Sequence, residues 1–395
     1  MPTRSRNLAA ALGGTIANNV FGTDGSRSGA GITVYDYDSN GALLSTDNSS
    51  FADGSLHYLT NQRELYVWDD NESKFYQLDE ISNDKLEGAS TFSYQGSAYG
   101  YIAGGQDPGG ATNSYEKFSL TSDGNGTDTA NLTLSKSAVS GMHSDTTSYY
   151  AGGMNWPGGY VSTNDIAKFP FATDGDATDA GDLTAVRDWQ TGHSSGTHGY
   201  VAGGQPNTNI IDKFDMATDG NATDVGDLTT LTYMHSGASD VNAAYGYVYS
   251  GKLGPSGDVS GTNKFSFASD GNATTVTGVV WTHPSGYNYK AGVGANSTTH
   301  AYQMGAETNQ QTVSNDIAKF PFAAENATAT VGELTKSKAE TGFGNSSTTY
   351  AYHSGGATPG FTNVIEKIDF SSDGNATDVG DLAISRKRGA EGTQN

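Results

Sequence analysis

The sequence contains no cysteine, which excludes disulfides, thiolate metal sites and cysteine nucleophiles. A chain without cysteine tolerates either redox state, so the absence does not assign a compartment. Basic residues are scarce: 21 Lys and Arg stand against 43 Asp and Glu, a formal charge of -22. Phosphate recognition needs clustered cations, so nucleic acid is not an expected partner. No stretch approaches the ~18 consecutive apolar residues of a spanning helix, and no membrane insertion is expected. Prolines number only 9 and hydrophobic residues 35%, whereas glycines reach 53. Without a period that composition would point to disorder; with one it points to short strands joined by tight turns.

A period is present. Tyr200-Val201-Ala202-Gly203-Gly204 is followed by Ile211-Asp212-Lys213-Phe214 and then by Asp219-Gly220-Asn221-Ala222-Thr223-Asp224-Val225-Gly226-Asp227-Leu228. The second glycine or its equivalent recurs at Gly105, Gly153, Gly204, Gly251, Ala306 and Gly356, in steps of 48, 51, 47, 55 and 50 residues by subtraction. Short strands repeating at that length predict a toroid of blades, here six. The double glycine suits a strand end where the backbone turns with φ > 0 and neighbours crowd close. The strands around Lys-Phe alternate apolar and polar residues, with Phe118, Phe169, Phe214, Phe265, Phe320 and Ile368 expected to be shared between facing blades. Either Glu87 to Tyr94 or Arg388 to Asn395 can supply the innermost strand that closes the ring.

Residues 1 to about 85 lack the repeat. Arg4, Arg6 and the run Leu8 to Leu12 faintly imitate a signal peptide, but Asn18 and Asn19 follow instead of a cleavage site. That stretch reads as a retained arm or first helix. Beyond it, Asp53 to Leu59, Gln62 to Asp69 and Lys74 to Leu78 read as a three-stranded meander packed by Trp68, Phe75 and Tyr76. So small a segment needs a partner or an oligomer axis.

The order of strands over residues 86–395, an aliphatic strand closing on Gly-Gly and an aromatic strand after a variable loop, resembles the kelch type of β-propeller. It departs in the last strand, where kelch blades usually carry Trp and this chain has Val225-Gly226-Asp227-Leu228 and Val379-Gly380-Asp381-Leu382. The phrase from Gly199-Tyr200 to Leu228 resembles repeat proteins of tailed bacteriophages of marine bacteria, cyanophages included. The segment Leu65 to Leu78 is similar to small modules of phage fibre and other virion proteins. These resemblances imply a virion protein, assembled in the host cytoplasm and placed on the tail or capsid surface.

Several constellations invite chemistry. Asp174, Asp176 and Asp179 offer hard oxygens for Ca²⁺, but the spacing does not fit an EF-hand, and Glu325-Asn326-Ala327-Thr328 loses the pattern. A β-turn in which Asp and Asn bond their own backbone explains the motif without metal. Asn221, Asn272, Asn326 and Asn375 open N-x-Thr triplets, which a phage protein would not expose to glycosylation machinery. Lys117, Lys168, Lys213, Lys264, Lys319 and Lys367 fill one position in all six copies, and a repeated ion pair or hydrogen bond to an Asp-rich turn between blades fits better than catalysis. His143, His193 and His235 fall on inner strands, but at differing registers, so polar lining is preferred to a metal site. Arg386, Lys387 and Arg388 read as solvated charge near the end of the chain.

Enzymatic propellers set requirements that are not met. A Tyr–Cys cofactor needs cysteine, sialidase Asp boxes need a different spacing, and no Gly-x-Ser-x-Gly, P-loop or His-Glu-x-x-His occurs. No catalytic set, metal or cofactor is expected. The loops after Gly-Gly vary most. Trp156, Tyr160 and Phe361 lie in the aromatic ones and are the candidate ligand-binding residues, suited to stacking on sugar rings or on a protein.

The expectation is therefore an all-β protein. An arm and meander over 1–85 attach to other virion proteins or oligomerise, and a six-bladed kelch-like propeller over 86–395 binds a host-surface glycan or a protein. A capsid decoration protein without a receptor role and a polysaccharide-degrading propeller are the alternatives.

Overall fold

The computed structural model describes residues 92–395, apart from 157–158, 207, 243, 255–256, 309, 311, 339–341, 359 and 390–391, together with the backbone of three strands near residues 56–77. The chain divides between Ser90 and Thr91. In the first unit, Leu56–Leu59, Glu64–Asp69 and Lys74–Gln77 pair antiparallel in sequence order, which is the expected meander, with Trp68 opposite Phe75. The packing assigned to Trp68, Phe75 and Tyr76, and the arm at 1–21, fall outside the described residues.

The second unit is a six-bladed β-propeller. Blade 2 shows the pattern: Ser140–His143, Thr147–Ala151, Val161–Pro170 and Thr178–Arg187 pair antiparallel from the axis outward. Blades 3, 4 and 6 repeat it as simple four-stranded sheets, and blade 5 adds a short extra pairing at Tyr289–Lys290. Blade 1 takes its innermost strand from the other end of the chain. Thr393–Gln394 pairs with Tyr101 and Gly100, ahead of Tyr99–Ala103, Ser114–Ser119 and Thr127–Asn131. Of the two closures open to the sequence, the C-terminal one is used. The described part of the earlier stretch, residues 92–94, is placed differently. Phe92 does not take an inner-strand position like that of Phe343, but lies against His143 with ring centroids 5.4 Å apart.

Each pair of facing blades buries its own apolar cluster. Tyr101, Tyr115, Tyr150 and Phe169 fill the space between blades 1 and 2, while Phe118, Tyr352 and Leu382 fill that between blades 6 and 1. The Lys-Phe strands thus place their apolar residues where the alternation required. Both residues of the double glycine are left-handed, as at Gly203 (φ 65°) and Gly204 (φ 118°), and the same holds at Gly105, Gly153 and Gly356.

The Asp-rich turns latch the blades together. Lys117 binds Asp174, Lys168 binds Asp219, Lys213 binds Asp270, Lys319 binds Asp373, and Lys367 closes the circle on Asp123. At the junction of blades 4 and 5 the acceptor is Glu325. Two residues on, the Asn side chain accepts from the neighbouring outer strand, as in Asp227 N–H to Asn272 at 3.0 Å and Asp381 N–H to Asn125 at 3.0 Å. The glycine between them lays its carbonyl on the Gly of Val-Gly-Asp: a Cβ on Gly226 would collide with Gly271 O, and one on Gly380 with Gly124 O. That contact explains why the last strand carries Gly where a bulky residue would block docking.

Deeper ion pairs anchor several of the crossovers between blades. Arg187 meets Asp212, Lys338 meets Glu366, and Arg386 meets Glu116, all essentially solvent-free. The same carboxylates cap the start of the crossover, from Thr184 N–H at 2.9 Å, Thr335 N–H at 2.6 Å and Ala383 N–H at 2.8 Å. Burial alone would penalise these charges, and the pairing with extra hydrogen bonds offsets that cost.

Candidate binding face

Around the axis, inner strands approach so closely that side chains of one satisfy the backbone of the next. His143 N–H donates to Ser194 Oγ at 2.9 Å, Ser194 N–H to Ser239 Oγ at 3.1 Å, and Ser239 N–H to Asn296 Oδ1 at 3.2 Å. Asn296 N–H then donates to Ser346 Oγ at 3.0 Å, and Ser346 N–H to Gln394 Oε1 at 3.3 Å. The sixth junction is bridged from outside the blades: the carbonyl of Tyr94 accepts from Gln394 Nε2 at 2.6 Å and lies 3.2 Å from His143 Nε2. Gln95 Nε2 bonds Asn296 O at 3.0 Å, and Gly96 N–H bonds Ser346 O at 2.8 Å. Residues 92–96 therefore cross the axis on the side where first strands turn into second strands.

That crossing accounts for one of the three histidines. His143 is buried beneath Phe92 and Tyr94 and its pKa is pushed down to about 3 by burial, against the bond to Tyr94. His193 faces Ala238 O at 3.1 Å between blades 3 and 4, and burial lowers it to about 4. His235 pairs with Thr232 Oγ1 at 2.6 Å and is lowered to about 3 by burial. They point to three different places. Among the described residues no three His, Asp or Glu side chains converge as a metal site.

The opposite side carries the aromatic loops. In an antiparallel blade, the link from second to third strand and the crossover to the next blade leave at the same end. Trp156 and Tyr160, on such a link in blade 2, have ring centroids 5.0 Å apart. They are 36% and 56% exposed, high values for aromatic side chains. Trp156 reaches over blade 1, where a Cβ on Gly110 would come within 2.8 Å of its indole. Phe361 sits apart, on a short hairpin of blade 6 formed by Ala357–Thr358 and Gly360–Phe361.

The last crossover joins these groups. Lys387 exchanges backbone bonds with Gln106, and its ammonium lies 5.0 Å from the Phe361 ring. The Arg388 guanidinium lies 5.8 Å from the Tyr160 ring and 5.9 Å from that of Trp189, within cation–π range. The result is an arc of Phe361, Lys387, Arg388, Tyr160 and Trp156 over blades 6, 1 and 2. Sequence reasoning treats the three terminal cations as solvated charge. Arg386 is instead the buried partner of Glu116, and the other two sit against the aromatic rings. Their position just before a strand able to close the ring is the available signal. Stacking faces beside cations can hold a ring-bearing ligand that carries negative charge.

The six repeated lysines and the glycines at 105, 153, 204 and 356 lie in this framework and are kept apart by the blade repeat. Among the described residues no helix is long and apolar enough to cross a membrane. No protein-family model matches the chain, and no curated protein sequence matches it.

Proposed function

We propose that the protein is a non-enzymatic structural component of a tailed-phage virion, of the tail-fibre or tail-appendage type. In this reading it presents a rigid propeller to a host-surface glycan or to a neighbouring protein, and residues 1–85 provide attachment or oligomerisation. The observation that carries the reading is the polarity of the propeller. The chain enters across one side of the ring, and the arc from Phe361 to Trp156 occupies the other. A ligand met there leaves the side crossed by residues 92–96 clear. The buried carboxylates Glu116, Asp212 and Glu366 are engaged in holding blades together, which favours a structural account of this acid-rich chain. The likeness of its repeat phrase to marine phage proteins supplies the virion part of the proposal.

Locating the chain in an electron-microscopy map of the particle tests it. Density for a six-bladed disc on the tail or its appendages is expected; density on capsid faces would favour a decoration role. Incubation with host capsule or lipopolysaccharide should yield no new reducing ends, and sugar release would sink the non-enzymatic reading.

A further inference from the structure

Two departures from the repeat meet at one place. From the axial ring position to the Tyr facing the repeated Lys there are six residues in blades 2, 3, 5 and 6 (143 to 149, 194 to 200, 296 to 302, 346 to 352) but eight in blade 4 (239 to 247). The first turn of blade 4 is thus longer by two. From the repeated Lys to the Asn position of the latch there are eight residues in the other blades (168 to 176, 213 to 221) but seven in blade 5 (319 to 326). Tyr149, Tyr200 and Tyr352 donate to backbone carbonyls of the adjoining blade, those of Met216, Phe267 and Leu120. Tyr247 donates instead to the Glu325 side chain at 2.8 Å, in the shortened turn.

Between the lengthened turn and the shortened one lies a cavity of about 570 Å³, lined by Asp240, Asn242, Tyr245, Thr298, Phe322 and Glu325 among others. Its volume is in the range of small-molecule sites, roughly 300–1,000 Å³. Lys264 bonds Glu325 and rests 4.1 Å from the Tyr245 ring centroid, so the wall is pre-ordered.

We infer that this cavity between blades 4 and 5 is a binding site for one or two units of a neutral saccharide. An anion would meet Asp240 and Glu325. A wholly apolar ligand would strip water from Asn242, Thr298 and Thr299 without replacing its hydrogen bonds. A sugar offers hydroxyl donors to the carboxylates and amide, and a C–H face to the partly exposed Tyr245 ring. The site is on the chain-entry side of the disc, away from the aromatic arc, and does not depend on the virion reading.

The test is calorimetric titration and saturation-transfer NMR of the full-length protein with glucose, galactose, mannose, N-acetylglucosamine and their disaccharides. At least one should bind saturably. Asn242→Ala and Ala323→Trp, both at exposed cavity positions, should weaken it about tenfold or more without moving the unfolding midpoint. Gly220→Ala, at an open turn position outside both the cavity and the aromatic arc, should leave it unchanged. Absence of binding by every sugar at millimolar concentration, or binding that survives Ala323→Trp, overturns the inference. If Ala323→Trp does not fold, Asn242→Ala alone decides.

Discussion

The side-chain amide of Gln394 donates to the main-chain carbonyl of Tyr94 at 2.6 Å across 300 residues of sequence. Gln394 also accepts from Ser346 N–H, so one side chain completes the axial ring on both sides. Gln394→Ala removes both bonds and leaves the buried Ser346 N–H without its partner, at a cost of about 1–3 kcal/mol. Deleting residues 393–395 should do more, leaving Tyr99–Ala103 as an open inner edge and making limited proteolysis of blade 1 rapid. Urea unfolding of the two variants checks the order.

The two classes of ion pair should separate by burial. Arg386→Met leaves Glu116 charged and dry, and about 3–5 kcal/mol of destabilisation is expected. Lys168→Met breaks a pair whose side chains are 26% and 56% exposed, and about 0–1 kcal/mol is expected. Equal losses in chemical denaturation would contradict the assignment of crossover anchoring to the buried pair.

Glycines of the same type should differ sharply. A Cβ on Gly294 collides with the carbonyl of Gly237 on the neighbouring inner strand, whereas one on Gly220 meets nothing within 4 Å. Gly294→Ala should cost about 1–3 kcal/mol or more. Gly220→Ala should stay within about 0.5 kcal/mol. Thermal midpoints of the two purified variants give the comparison.

Buried histidines set an acid limit. His143 falls from 6.5 to about 3 on folding, through burial. Between those values the unfolded chain binds a proton that the folded one refuses, so stability declines as pH drops from about 6.5 toward 3. His193 and His235 act in the same direction. Replacing His143 with Gln should flatten the pH dependence of the melting temperature in that window relative to wild type, and an unchanged slope would count against its neutral burial.

On the exposed arc, Trp156→Ala and Tyr160→Ala should each weaken adsorption to host cells or a host-surface glycan by about 1–3 kcal/mol. Neither should alter the unfolding midpoint by more than about 0.5 kcal/mol. If adsorption is unchanged in the double variant, the arc is not the contact.

Much of the blade was legible because its signals are local. Gly203-Gly204 marks a left-handed strand end, Phe214 alternates with Lys213, and the Asp-Gly-Asn turn is defined by its own chemistry. The latch was legible in type, since six lysines at one position and an acidic turn in every copy suggest repeated pairing. The pairing runs between blades as the repeat suggested, Lys168 reaching Asp219 of the adjoining blade, but which acid of each turn accepts came only from the fold. The cations at 386–388 escape a sequence reading for a related reason. Charge in a sequence carries no burial, and only packing put Arg386 in the interior and Arg388 beside Tyr160.

Composition and period alone determined an all-β toroid of six similar units, because each short amphipathic sheet must cover its faces with copies of itself. Tertiary structure decided which end seals the wheel, what crosses its axis and which side chains share a face. Those outcomes depend on contacts between residues hundreds of positions apart, and chain proximity cannot encode them.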